Sequence, residues 1–231
     1  MDSYSESSNC VECKKSSKCF QKLVTSELEF INKNKTQIVY KKGENICKQG
    51  AFASYVLYIS DGLVKLYLEG PNNKNINIKI LRASDFIGLS SIYGENIYDY
   101  SVVALKDTTV CLIEKESFKK LILNNSEFAS ELIKGYTKNE RQYFSIIQSI
   151  GNKQMNGRLA ETLIYLSKED FLKEDIFSYV SRKDIADFSC ISTESTVRLL
   201  SDLNKENIIK LEGKKIEIIN PVALRRISIT G

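Results

Sequence analysis

The chain has 231 residues, 42% of them hydrophobic, with 33 Lys and Arg against 29 Asp and Glu for a net charge of +4, and no histidine. That length suffices for one large or two ordinary domains with their own cores, and the small positive charge permits an anionic partner without requiring one. The missing imidazole excludes His-based triads, His-ligated zinc and haem held by a proximal His, and removes the commonest general base.

The opening residues, MDSYSESSNC, lack a basic stretch followed by an apolar one, and no window reaches the roughly 18 apolar residues of a membrane helix. The expectation is a cytoplasmic protein with no membrane partner and no enzymatic activity. Six cysteines in a reducing compartment point to free, metal-binding or catalytic thiols, not to disulfides. Three of them, Cys10, Cys13 and Cys19, fall in NCVECKKSSKCF, a polar stretch without apolar periodicity inside an N-terminal segment over residues 1–24. Lys14, Lys15 and Lys18 would lower the pKa of these thiols and help any metal bind.

A short helix is predicted around residues 26–33. Period-two alternation then runs through TQIVYKK, ASYVLYISDGLVKLYLEG, INIKILRASDFIGLS and YSVVALKDTTVCLIEK. It is broken at Gly50, Asp61-Gly62, Gly70-Pro71-Asn72-Asn73 and Tyr93-Gly94, which predicts an antiparallel β barrel or roll in a domain over residues 25–126. From about Glu116 the period becomes helical. Over residues 127–151 heptads place Ala129, Tyr136, Tyr143 and Ile150 at one core position and Leu132, Asn139 and Ile146 at the other. Such a seam suits a partner helix; the competing reading packs the helix on its own β domain. The absence of Gly and Pro between Tyr136 and Ile150, and a polar Asn139 in the seam, favour a homodimer, because a buried Asn fixes register. Gly151-Asn152 marks a hinge.

Residues 152–231 read helix, helix, helix, hairpin. GRLAETLIYLSKE carries Leu159, Leu163 and Leu166 on one face. Ser181, with Asp184 three residues on, caps one short helix, and Ser192 caps the helix of TESTVRLLSDLNKEN. The tight FSCIS turn between them, with Ile185, Ala186, Ile191 and Val197 available for the junction, makes a helix-turn-helix. NIIKLEGKKIEIIN adds a hairpin wing. The whole is an α+β chain: β-roll, long helix and winged helix-turn-helix.

In such a motif the second helix enters the major groove of duplex DNA. Glu194 and Arg198 share a helical face; Arg can grip guanine O6 and N7 while Glu accepts from cytosine N4. The bland alternative is a surface ion pair four residues apart, present on very many helices. Ser195 and Val197 are secondary candidates at the same helix start. Arg182, Lys183, Thr193, Lys214 and Lys215 are candidate phosphate contacts, which give register and salt dependence without sequence information.

This order of parts, with ISDGLVKLY, FIGLSSIYG, GRLAETLIYLS and SRKDIADFSCISTESTVRLLSDLNKENII, resembles the family of the cyclic-AMP receptor protein and the fumarate and nitrate reduction regulator, the CRP/FNR family. The resemblance implies base reading by Glu194 and Arg198, although Val197 stands where the FNR branch has Ser. Cys190 occupies a turn position where relatives have Gly. The family's nucleotide cassette carries a Glu and an Arg-Ser pair, where this chain has Leu89 and Tyr100-Ser101. Without that Arg a cyclic phosphate lacks its bidentate partner, so no cyclic nucleotide is expected.

Spacing alone leaves three readings of the cysteines open: iron–sulfur, zinc, and free or redox thiols. The resemblance to FNR-type oxygen sensors implies the first, with Cys10, Cys13 and Cys19 joined by Cys111 of TTVCLIEK as ligands of a [4Fe-4S] cluster. It also implies an oxygen or nitric-oxide signal, a homodimer on a palindromic site, and contact with RNA polymerase. Rival readings are a zinc-stabilised or constitutive DNA-binding factor and a thiol-disulfide enzyme using Cys10 and Cys13. Cys47 and Cys190 are expected as small buried or half-buried residues.

Overall fold

In a computed structural model the described residues are 10–13, 17–168, 171 and 175–231. Half of the N-terminal segment 1–24, including Lys14 and Lys15, lies outside them. The chain divides into two compact units: residues up to Glu69 together with Lys79–Glu140, and Gly70–Ile78 together with Arg141–Gly231.

In the first unit, α1 (Thr25–Lys33) leads into β1 (Lys35–Tyr40), β2 (Asn45–Cys47), β3 (Tyr55–Asp61) and β4 (Leu63–Leu68). Then come β5 (Ile76–Arg82), β6 (Phe86–Ile87), β7 (Ser101–Ala104) and β8 (Thr108–Glu114). They form two four-stranded sheets in the orders β1-β8-β3-β6 and β2-β7-β4-β5, with antiparallel pairings. The expected roll is therefore present. β3 and β4 are so close in sequence that their joint tolerates only glycine: Gly62 has φ +118°, and a Cβ there would collide with Thr108.

β8 runs directly into α2 (Lys115–Asn124), and α3 follows as one helix over Ser126–Asn152. Phe118 of α2 and Phe128 of α3 are fully buried, their rings 5.4 Å apart, and Phe86 and Phe20 continue the stack. Each such ring buried contributes about 2–3 kcal/mol, so this apolar cluster anchors the start of α3. The expected hinge at Gly151-Asn152 is instead the last turn of α3; the helical run breaks at Lys153 and Gln154.

The second unit holds α4 (Met155–Leu166), α5 (Ile176–Tyr179), α6 (Arg182–Ser189), α7 (Thr193–Lys205), β9 (Ile209–Glu212), β10 (Lys215–Ile218) and α8 (Pro221–Thr230). Leu159, Leu163 and Leu166 are fully buried, as their spacing requires. α8 is absent from the sequence expectation. Its signal was nonetheless present: Asn220 Oδ1 accepts from Ala223 N at 3.0 Å as N-cap, and Pro221 takes the first helical position.

Candidate thiol cluster and nucleic-acid interface

The register of β8 fixes the surroundings of Cys111. Gln37 and Tyr58 stand opposite Cys111 on the flanking strands, and Lys35 and Val56 stand opposite Ile113. Residues two apart on a strand share a face, so these six residues form one patch of the sheet. The N-terminal stretch packs against that patch through Cys10, Cys19 and Phe20, and Cys10 N donates to Asn32 Oδ1 of α1 at 3.2 Å.

Cys10, Cys13 and Cys111 line one cavity, partly open to solvent. Its walls are Phe20, Leu28, Ile31 and Ile113, and Lys35, Tyr58 and Ser60 bring polar groups to it. Cys19 is buried in the same side-chain cluster but does not line the cavity; its sulfur lies 2.8 Å from the Ser17 hydroxyl. Burial pushes the thiols of Cys10, Cys19 and Cys111 up. The Lys35 ammonium opposes this, by its charge at both Cys10 and Cys111 and by donating to the Cys10 sulfur. The neighbouring Cys10 and Cys13 sulfurs add to the upward push on the Cys111 thiol, since a second thiolate close by is disfavoured.

Among the described residues, no three His, Cys, Asp or Glu side chains are arranged to hold a single metal ion as they stand. The donor set suits a thiolate-bound group: three soft sulfurs line one space with no carboxylate among them, and a fourth lies in the adjoining core. For all four to bind together, Cys19 must exchange its Ser17 contact for the cavity. Cys47 is inert beside this: burial pushes its thiol up to about 12, and its sulfur donates to Tyr100 O at 3.8 Å.

On α3 the apolar residues left exposed are Ile133, Tyr136, Tyr143, Phe144, Ile147 and Ile150. Tyr136, Tyr143 and Ile150 belong to the seam predicted from the heptads. The other line of that seam is different: Leu132, Asn139 and Ile146 are half-buried, and Asn139 Oδ1 accepts from Lys79 Nζ of β5 at 2.5 Å. Asn139 thus ties α3 to its own roll, and the exposed stripe is rotated by about one residue toward Ile133 and Ile147.

In the second unit the caps form as expected. Ser181 Oγ accepts from Asp184 N at 3.0 Å while Asp184 Oδ2 accepts from Ser181 N at 2.7 Å, and Ser192 Oγ accepts from Ser195 N at 3.1 Å. Cys190 ends α6 in the left-handed region, φ +51°. Ile185, Ala186, Thr196 and Leu200 make the buried junction, whereas Ile191 is half-buried and Val197 is 50% exposed. Val197 is therefore not a junction residue. It lies on the outer face of α7 with Thr193, Glu194 and Arg198, all exposed, and Ser195 is half-buried beside them.

Glu194 and Arg198 form no ion pair with each other, so that bland alternative is not realised. The helix N-terminal amide and the Ser192 hydroxyl hold the Glu194 carboxyl below its ordinary value, leaving it an acceptor. Arg182, expected at phosphate, is half-buried and donates to the carbonyls of Gly213 at 2.9 Å and Lys214 at 3.3 Å, clamping the wing turn. Lys183 pairs with Asp187 at 3.0 Å. Lys214 and Lys215 are exposed on the wing.

The cyclic nucleotide-binding domain family matches residues 37–125, and the Crp-like helix-turn-helix domain family matches residues 157–227. The chain belongs to the CRP/FNR family of transcription regulators. The "Anaerobic regulatory protein" of Bacillus subtilis is 25% identical over 196 residues, covering 82% of both chains. The "Global nitrogen regulator" of Synechococcus elongatus is 25% identical, covering 80% of this chain and 86% of its own. A solved structure of a crp/fnr-family protein from Eubacterium rectale shares the fold with a TM-score of 0.73 at 22% identity, covering 92% of this chain and 98% of that one. Among the described residues of this CRP/FNR chain, no helix is long and apolar enough to cross a membrane.

Tyr100 and Ser101, at the positions where the resemblance implies an Arg-Ser pair, bond inward. The Tyr100 hydroxyl accepts from Gly88 N at 2.9 Å. Ser101, fully buried, donates to Glu69 Oε1 at 2.6 Å and accepts from Gln49 N at 2.9 Å. Leu89 packs against the aromatic cluster.

Proposed function

We propose that this DNA-binding regulator senses oxygen, or nitric oxide, through a [4Fe-4S] cluster held by Cys10, Cys13, Cys19 and Cys111, and that the sensing controls dimerisation on palindromic DNA. The observation that carries the reading is the convergence of Cys10, Cys13 and Cys111, a hundred residues apart in sequence, on one cavity beside buried Cys19. When bound, such a group supplies an inorganic core that oxygen or nitric oxide can attack. The chain's own part is mechanical: three cysteines of the N-terminal segment and one of β8, fastened to a common centre, tie that segment to the roll.

The exposed stripe of α3 then meets its copy, and two α7 helices fall one turn of DNA apart. Glu194 and Arg198 face base edges, Thr193, Lys214 and Lys215 face phosphates, and Arg182 holds the wing in place. A bias of a few kcal/mol on the monomer–dimer equilibrium suffices to switch occupancy. The inward bonds of Tyr100 and Ser101 leave the cassette groups satisfied without a cyclic nucleotide. Contact with RNA polymerase and action in the cytoplasm complete the proposal.

The Ser17 contact of Cys19 favours a second reading, a zinc-stabilised or constitutive factor without redox sensing. Iron and acid-labile sulfide analysis of anaerobically purified protein, with its visible spectrum, separates the two. The proposal expects about four of each per chain; zinc, or a colourless protein, refutes it.

A further inference from the structure

A cluster bound by four thiolates carries net negative charge, and buried charge is tolerated only where something compensates it. The cavity bounded by Cys10, Cys13 and Cys111 has apolar walls. Among the described residues lining it, Lys35 is the one cation. β1 starts at Lys35, and its pairing with Ile113 sets the Lys35 side chain on the same face as Cys111. Cys10 and Cys13 of the N-terminal stretch and Cys111 of β8 line the same cavity as Lys35, so one cation lies beside both parts of the chain that bring the sulfurs together.

We infer that Lys35 is the counter-charge of the thiolate site, a cation set in the cavity wall beside Cys10 and Cys111 whose charge holds the bound cluster in place. The inference rests on the four cysteines being cluster ligands. Second-sphere donors of this kind orient ligand atoms and tune the metal they hold, and a fixed positive charge stabilises the more negative, reduced state over the oxidised one.

The test compares anaerobically loaded wild type, K35R and K35M, each checked by circular dichroism for its fold. Three quantities are read: iron and sulfide content, the rate at which an iron chelator bleaches the visible band without oxygen, and the midpoint potential. K35M is expected to bleach roughly tenfold faster and to have a lower potential, or to fold without retaining iron, while K35R stays near wild type. Equal bleaching and equal potential in K35M would overturn the role of Lys35 and leave the cluster standing. Iron-free wild type would overturn the cluster, and Lys35's role with it. Loss of the cluster in K35R and K35M alike would show that side-chain shape, not charge, matters, and would also overturn the inference.

Discussion

Replacing Arg198 by Ala removes a side chain that is exposed on α7 and makes no ion pair with Glu194. The fold should therefore keep its stability to within about 0.5 kcal/mol. If Arg198 grips a guanine, each half-site loses about 1–3 kcal/mol. A symmetric dimer then loses about 2–6 kcal/mol, roughly 30-fold to 10⁴-fold in affinity. Lys214→Ala serves as the contrast, since a wing lysine neutralises phosphate. It should weaken binding to all sequences alike and flatten the logarithmic salt slope by about 1.8 for two half-sites. The preferred site is first selected from random duplexes, and binding is then followed by fluorescence anisotropy between about 50 and 200 mM salt. Arg198→Ala should erase the preference at one base pair per half-site with little change of slope. Unchanged site preference together with a flattened slope would make Arg198 a phosphate contact and refute the assignment.

Three further outcomes follow from particular residues. Cys190→Gly relieves a left-handed residue, whose cost of about 1–2 kcal/mol is partly offset by glycine's freedom in the unfolded chain. The net gain of about 0.5–1 kcal/mol should raise the thermal midpoint by roughly 1–4 °C, and a lowered midpoint would contradict it. Gly62→Ala meets Thr108 at φ +118° and should cost about 2–4 kcal/mol by urea denaturation; a cost below about 1 kcal/mol would refute the tight joint between β3 and β4. Ile147→Asp changes a residue 65% exposed in the single chain, so folding should be untouched. A charge in the paired stripe should nonetheless weaken the dimer by at least roughly 100-fold in analytical ultracentrifugation, and an unaltered dimer would exclude this stripe.

The roll, the long helix and the helix-turn-helix were legible because their signals are local. Period-two runs between glycine turns gave the strands, and Ser181 and Ser192 announced their helices by capping chemistry. What escaped depended on neighbours distant in the chain. Asn139 has the seam spacing, yet Lys79 of β5 claims it, so the exposed stripe turns by about one residue. Val197 is apolar and suits both the junction and the DNA-facing helix start; it is exposed, and Thr196, polar but fully buried, makes the junction by bonding its hydroxyl to Ser192 O at 3.0 Å. The Arg182 clamp on the wing needs the hairpin folded back to α6, which no spacing reveals. Lys35 likewise joins the cysteines only through the register of β1 on β8. α8 carries a local signal in Asn220-Pro221, an N-cap followed by proline at the first helical position.

The central claim is that one thiolate-bound group couples the N-terminal segment to pairing of the chains. The most direct measurement is sedimentation equilibrium of anaerobically loaded protein before and after exposure to air, with DNA affinity taken on the same samples. The account predicts that mass falls from two chains of 26.3 kDa to one as the visible band bleaches, and that affinity falls with it. Loss of the visible band with mass and affinity unchanged would contradict it.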